Sequence, residues 1–139
     1  MLRQWMFLFG MLVMSFSLYG APADASKSIS KESAEKWLSL VDSGKYWETW
    51  NQAAPGLHDL ATAEEWENIL KVSRDPMGSV KERKLIDQRE AENPKWLPPG
   101  DYMILFYQSD FEHRSSVKEL LTLVKENDGV WRVLTYQIE

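Results

Sequence analysis

Three kinds of hydrophobic pattern follow one another along this chain. The first is a nearly unbroken run: Trp5 to Leu18 is apolar except for Gly10, Ser15 and Ser17. The second recurs every three or four residues, as the buried face of a helix must. Ala34, Trp37, Leu38 and Val41 follow Ser30, a good N-cap residue, and precede Gly44, which suits the position just past a helix end. The spacing predicts a helix over 31–43. Tyr46, Trp47, Trp50 and Ala53 or Ala54 predict a second, short helix that stops at Pro55. Pro55 and Gly56 then open a loop that holds His58. Thr62-Ala63-Glu64-Glu65 has the form of a capping box, in which hydroxyl and carboxylate satisfy each other's backbone amides. Trp66, Ile69, Leu70 and Ser73 share one face of the helix it starts, which runs to about Arg74 before Pro76 and Gly78 end it.

The third pattern has a period of two. Val80 to Arg89 alternates loosely and carries both signs of charge, which reads as an edge strand guarded against unwanted pairing. Pro94, Pro98 and Pro99 mark a loop up to Gly100. Tyr102 to Phe111 is a long aromatic strand, and Val117 to Glu126 another. Asn127-Asp128-Gly129 tolerates positive φ and predicts a hairpin turn into a last strand, Val130 to Ile138. Helices first and strands second predict an α+β fold, with N-terminal helices packed on one face of a curved four-stranded antiparallel sheet. Such a layout can leave a cone-shaped cavity between its two layers.

The unbroken apolar run reads differently. Arg3 precedes it, and the small residues Ala21-Pro22-Ala23-Asp24-Ala25 follow, which is the layout of a secretory signal peptide. Cleavage after Ala25, using Ala23 and Ala25, is the favoured site, and cleavage after Ala23 is the alternative. A cut after Ala21 is disfavoured because Pro22 would follow it. The competing reading is a retained anchor, for which the run is short of the about 20 residues a bilayer span needs. The expected organisation is a leader over 1–25 and one domain over 26–139, in a periplasmic or secreted protein with no stable membrane span once the leader is removed.

Composition narrows the chemistry. A length of 139 residues suits one domain, and a formal net charge of −5 argues against a nucleic-acid partner, which needs a clustered basic surface. The absence of cysteine excludes disulfides, thiolate metal sites, a cysteine nucleophile and a lipid-modified N-terminal cysteine. No cofactor-binding motif is present. Neither His58 nor His113 has a second histidine at ligand spacing, so no metal site is expected. Asp110, His113, Ser115 and Ser116 lie close in sequence, but a triad is defined by spatial roles, and they read as a polar turn.

Three stretches carry a family resemblance. They are Ala34 to Tyr46 with Trp50 after it, Arg74-Asp75-Pro76-Met77-Gly78 ending in Arg83, and Glu119 followed by Asp128-Gly129-Val130-Trp131-Arg132-Val133. Together they resemble the bacterial family of domains of unknown function numbered 4019. Lys45 and Thr135 depart from its pattern, at a turn and on a strand. The resemblance implies a roll similar to the cystatin-like and nuclear-transport-factor-2-like folds. It implies no activity, since relatives at that level include small-molecule isomerases and dehydratases beside non-catalytic binding modules.

The residues themselves offer one polar constellation. Glu119 interrupts an apolar strand, and if it faces inward its charge needs a partner, which Arg83 or Arg132 could supply. With Tyr107 or Tyr136 it forms either the polar floor of a cavity or a structural ion pair. Strand parity decides whether Glu119 or Leu120, and Trp131 or Arg132, faces the helices, and a one-residue slip exchanges the two. Trp37, Trp50, Trp66, Tyr102, Phe106 and Trp131 either line a pocket or fill the core. Trp96, in the proline-rich loop, is either an exposed partner anchor or folds back on the sheet. The leading expectation is an exported, non-catalytic binding or interaction module, taking a small apolar ligand or an exported protein partner, with a homodimer also allowed. The alternative is an isomerase, dehydratase or hydrolase with Glu119 or Asp110 as base and Tyr107 as proton donor.

Overall fold

The computed structural model describes residues 22–139. The expected leader lies outside the described residues as far as residue 21, and its last four residues form the first turn of a helix. That helix, α1 (Pro22–Asp42), is followed by α2 (Tyr46–Asn51), α3 (Pro55–Leu60) and α4 (Ala63–Ser73), then a 3₁₀ turn, Asp75–Met77. Four strands complete the chain: β1 (Val80–Glu92), β2 (Asp101–Phe111), β3 (Val117–Lys125) and β4 (Trp131–Ile138). They form one antiparallel meander in the order β1-β2-β3-β4, an α+β arrangement with β1 at an edge as its charges predict. No described helix is long and apolar enough to cross a membrane.

Two local expectations are corrected. Ser30 is not an N-cap: α1 begins eight residues earlier, and Ser30 is buried within it. Its hydroxyl donates back to the Ser26 carbonyl at 2.6 Å, the way a mid-helix serine satisfies itself, and accepts from Gln88 Nε2 at 3.1 Å. Gln88 also donates to the Lys27 carbonyl at 2.8 Å, so β1 holds the early turns of α1. The segment after Pro55 is a short helix rather than a loop, because proline is pre-organised for a first helical position. His58, within it, stacks on Trp50 with ring centres 4.1 Å apart.

Elsewhere local chemistry acts as expected. Gly44 has φ +71°, with Lys45 N–H bonded to the Leu40 carbonyl and Gly44 N–H to that of Val41, the paired bonds of a Schellman end. Thr62 Oγ1 accepts from Glu65 N–H at 3.2 Å and caps α4, which is the threonine half of the expected capping box; the Glu65 carboxylate does not return a bond to the Thr62 amide. Only Trp66 and Leu70 of α4 are buried; Ile69 is exposed beside Val72, because a helix packed mainly along one neighbour buries a narrow stripe.

The core sits between the helices and one sheet face. Ala34, Trp37, Leu38 and Val41 of α1 meet Met103, Leu105 and Tyr107 of β2, Leu121 and Leu123 of β3, and Trp131, Val133 and Tyr136 of β4. Aromatic rings therefore fill the space in which a cavity was conceivable. Parity is settled: Glu119 and Trp131 are buried with the core, while Leu120 and Arg132 are only partly covered. Bulges interrupt the alternation in β1 around Lys81 and Ile86 and in β4 around Leu134. Leu134 packs with Ala54 and Tyr102 in a second cluster that Leu97 helps to cover. A Cβ on Gly56 would lie 2.7 Å from Leu134 Cδ1, so glycine allows α3 this approach.

Candidate functional site

Glu119 lies in mid-β3, opposite Tyr107 on β2 and Ile138 on β4. It is 1% exposed. Two residues from Tyr107 on the same face of β2, Ser109 donates its hydroxyl to Glu119 Oε1. Two residues from Ile138 on β4, Tyr136 donates its phenol to Oε2. Arg83, paired with Ser109 from β1, donates Nε to Oε1 at 2.8 Å and Nη2 to Oε2 at 3.2 Å. Four donors thus converge on one carboxylate, which has about four lone-pair positions to offer.

Arg83 reaches a second carboxylate. Its Nη1 and Nη2 donate to Asp42 at 2.7 and 2.9 Å. Asp42 is the last residue of α1, where a negative charge opposes the helix dipole and no basic residue of the last turn offsets it. The offset comes from Arg83 and from Arg74, whose Nη2 lies 3.3 Å from Asp42. Arg74, buried at the end of α4, also donates Nη1 to the Gly78 carbonyl and lies 4.3 Å above the centre of the Phe111 ring. Two acids and two guanidiniums therefore balance in charge, tying α1, α4 and the sheet together. Beside them Tyr46 donates its hydroxyl to Asp75.

The electrostatics follow from this packing. Burial would discharge Arg83, but hydrogen bonds to Asp42 and then Glu119 outweigh it and hold the guanidinium charged. Burial, and then the charge of Glu119, push the Tyr136 phenol up, so it stays protonated and donating. Burial, and then the charge of Glu35, also raise Tyr107. The Tyr107 hydroxyl and Arg74 Nε are buried without a hydrogen-bond partner.

Of the residues singled out from the sequence, Arg83, Glu119 and Tyr136 come together here. Tyr107 is adjacent, with its hydroxyl unengaged. Arg132 lies apart, bonded through both terminal nitrogens to Asp128 at the hairpin turn, at 3.1 and 2.7 Å. That contact and the Val130 amide hold the Asp128 carboxyl down at about 2. Trp96 is 74% exposed at its loop tip. Asp110 accepts the Ser116 amide at 2.8 Å, and His113 faces solvent beside Glu112, so that segment is a turn. Among the described residues, no group of three or more acidic or histidine side chains is placed to hold a metal. The sequence does not mark Arg74 or Ser109 as members of this centre, and the one signal for Asp42 is an acid that ends a helix without a nearby cation.

The stretch Arg74-Asp75-Pro76-Met77-Gly78 now has a physical reason. Pro76 sits in the 3₁₀ turn, which brings the Gly78 carbonyl under Arg74 Nη1. Gly78 has φ +75° and ψ −157°, and a Cβ there would fall 2.9 Å from the Glu112 Cβ. Gly78→Ala is expected to cost about 2 kcal/mol through backbone strain and this clash. In urea titrations the midpoint should fall with an unchanged slope.

The opposite face of the sheet is a different surface. Ile104, Phe106 and Leu120 are half-buried there, Ile86 is 56% exposed, and the Arg89 guanidinium lies 4.9 Å above the Phe106 ring centre. Ile86, Phe106, Lys118 and Leu120 line a hollow of about 360 Å³.

No curated protein and no solved structure matches the chain. The model of a family described as Protein of unknown function (DUF4019) matches residues 33–136. That span includes α1 from its second half, both arginines, Glu119 and Tyr136, so the polar centre falls wholly within it. The chain belongs to the DUF4019 family.

Proposed function

We propose that this protein is an exported, non-catalytic interaction module that acts through surface contacts with another exported protein. The observation that carries the reading is the state of Glu119. A general base needs a free lone pair facing its substrate, and Arg83, Ser109 and Tyr136 together occupy this carboxylate. The aromatic packing between helices and sheet supports the same reading, because a substrate would have to displace Trp37, Tyr107 or Tyr136. The apolar run from Trp5 to Leu18 and the small residues after it support export. The Gln88 contact to Lys27 suits it, since a cut after Ala25 leaves that anchor of α1 within the mature chain.

The test is native mass spectrometry on the protein expressed with its own N-terminal segment. Recovery from the periplasm at a mass beginning at Ser26 or Asp24, in complex with a second exported polypeptide, is the expected result. Recovery at full length inside the cell overturns the export claim. A stoichiometric small molecule that is lost in a folded Glu119→Gln variant overturns the claim that the protein acts through surface contacts, and turnover of that molecule by the wild type overturns the non-catalytic claim.

A further inference from the structure

The charges of β1 are ordered as well as mixed. Reading outward in both directions from the Leu85–Ile86 bond, Lys84 mirrors Asp87, Arg83 mirrors Gln88, Glu82 mirrors Arg89 and Lys81 mirrors Glu90. Every mirrored pair of charges is opposite in sign. An antiparallel strand placed against its own copy about a two-fold axis makes the mirrored residues direct neighbours. We propose that β1 is a homodimerisation edge, pairing antiparallel with β1 of a second copy about an axis between Leu85 and Ile86 to form a continuous eight-stranded sheet.

Three features of the fold bear on this. First, among the described residues β1 is an edge of the sheet, so its outer backbone groups can accept a strand, although the Gln88 N–H would first have to leave the Asp87 carboxylate to which it donates at 2.8 Å. Its charged side chains are accessible: those of Lys84 and Glu82 are 69% and 57% exposed. Second, neighbours across an antiparallel pair must point to the same face. In a regular strand Glu82 and Arg89, seven residues apart, point to opposite faces. The bulge around Ile86 shifts the alternation. Glu82 pairs with Asp110 and Lys84 with Gln108, while Asp87 pairs with Phe106 and Arg89 with Ile104, all on the face away from the helices. Arg83 and Gln88, opposite Ser109 and Leu105, lie on the helix side. Glu82 and Arg89, Lys84 and Asp87, and Arg83 and Gln88 therefore match in face, while Lys81 and Ile86 fall in the bulges and have no place in the alternation. Both copies carry the same extra residue, so the register is kept on either side of it.

Third, the existing ion pairs complete the pattern. Within one copy Lys84 lies 3.3 Å from Glu82, and Arg89 lies 2.7 Å from Asp87. Across the axis these two pairs close into a ring of four charges of alternating sign: Lys84 and Glu82 of one copy with Arg89 and Asp87 of the other. The two-fold axis produces the ring twice. A one-residue slip one way opposes Lys81 to Arg89, and the other way opposes Glu82 to Glu90 and Arg83 to Arg89. Parallel pairing in register opposes every charge to its own kind. The first slip also sets Arg83 against Asp87, so the mixed charge favours this register by the number of unlike pairs it makes rather than by excluding every other.

The experiment is a charge swap on the protein recovered after export, read by sedimentation equilibrium at low ionic strength, where surface charges are least screened. The wild type is expected to dimerise and to dissociate as salt is raised. Lys84→Glu alone sets a new carboxylate against Asp87 of the second copy, and Asp87→Lys alone sets a new ammonium against its Lys84. Each should weaken self-association about tenfold or more, since symmetry doubles the change. Mixing the two variants lets unlike copies meet with one of the two contacts carboxylate to ammonium in reversed order and the other in its original order. A heterodimer should therefore form more tightly than either variant alone, though below wild-type strength because the new carboxylate lies beside Glu82 and the new ammonium beside Arg89, and its formation also shows that both variants are folded. A wild type that stays monomeric at about 100 μM overturns the proposal, that being far above the dissociation constant of a specific dimer. So does a dimer that neither variant weakens, or a mixture that fails to recover.

Discussion

Arg83→Ala is expected to destabilise the fold by about 3–5 kcal/mol, the cost of leaving a buried charge without its partner. Arg83 gives two hydrogen bonds to Glu119 and two to Asp42. With alanine in its place, Glu119 keeps only two neutral donors, Ser109 and Tyr136, in a site sealed from water. Asp42 keeps only the longer contact to Arg74, at the end of a helix that disfavours it. For a domain of this size the melting temperature should fall by about 10–20 °C. The order of effects is also fixed by geometry. Asp42→Ala should cost less, about 2–3 kcal/mol: Arg83 is still neutralised by Glu119 and the Asp42 side chain is partly wet, but the buried Arg74 loses its carboxylate contact. The triple change Arg83→Met, Glu119→Leu, Tyr136→Phe should recover more than half of the Arg83→Ala loss, since removing the buried Arg83–Glu119 pair removes its desolvation problem and leaves Asp42 paired with Arg74. Thermal unfolding of the three proteins decides this. A triple variant no better than Arg83→Ala shows that the centre is held by something other than charge pairing.

How much of this was legible in the chain depends on how local each signal is. The Gly44 end of α1, the Thr62 cap and the Asp128-Gly129 turn each rest on a few neighbouring residues, and all three form as read. A charged residue inside an apolar strand is equally local, so Glu119 stands out, but its partner Arg83, 36 residues away, is only one of two candidate arginines until the strands are paired. Asp42 carries no such mark, because it meets Arg83 across 41 residues of chain through a helix–sheet contact that no short pattern specifies. Arg132 looked equivalent to Arg83 until strand parity was known; it faces away and finds Asp128 four residues off. Ser30 misled because serine favours helix starts, yet here a side chain from β1 bonds it in mid-helix. The bulge around Ile86 had no sequence marker such as glycine, and it is the bulge that aligns the charges of β1 on one face.

Trp66→Ala is expected to cost as much as the loss of Arg83, about 3–5 kcal/mol, by a different route. The indole is buried on α4, and its N–H donates to Thr49 Oγ1 at 2.9 Å. Thr49 is itself a junction: its hydroxyl donates to the Tyr46 carbonyl at 2.6 Å, and its own carbonyl accepts the Trp37 indole N–H at 2.9 Å. Alanine opens a cavity where α2 and α4 meet and takes the donor from that junction. Trp66→Phe keeps most of the volume and should cost less, about 1–2 kcal/mol for the lost hydrogen bond and imperfect fit. The effect should also reach the polar centre. Trp66 packs on Trp37 with ring centres 6.3 Å apart, and Trp37 meets the Tyr136 ring edge-on at 5.3 Å. Tyr136 is the residue whose hydroxyl serves Glu119. Loosening Trp37 and removing Arg83 therefore disturb the same contact, and the disturbance counts only once in the double variant. The combined loss from Trp66→Ala and Arg83→Ala should fall short of the sum by about 0.5 kcal/mol or more. A chemical-denaturation cycle measures it, with Trp66→Phe in place of Trp66→Ala where the double variant is too unstable to titrate. Strict additivity would mean that the tryptophan stack supports α2 and α4 without positioning Tyr136.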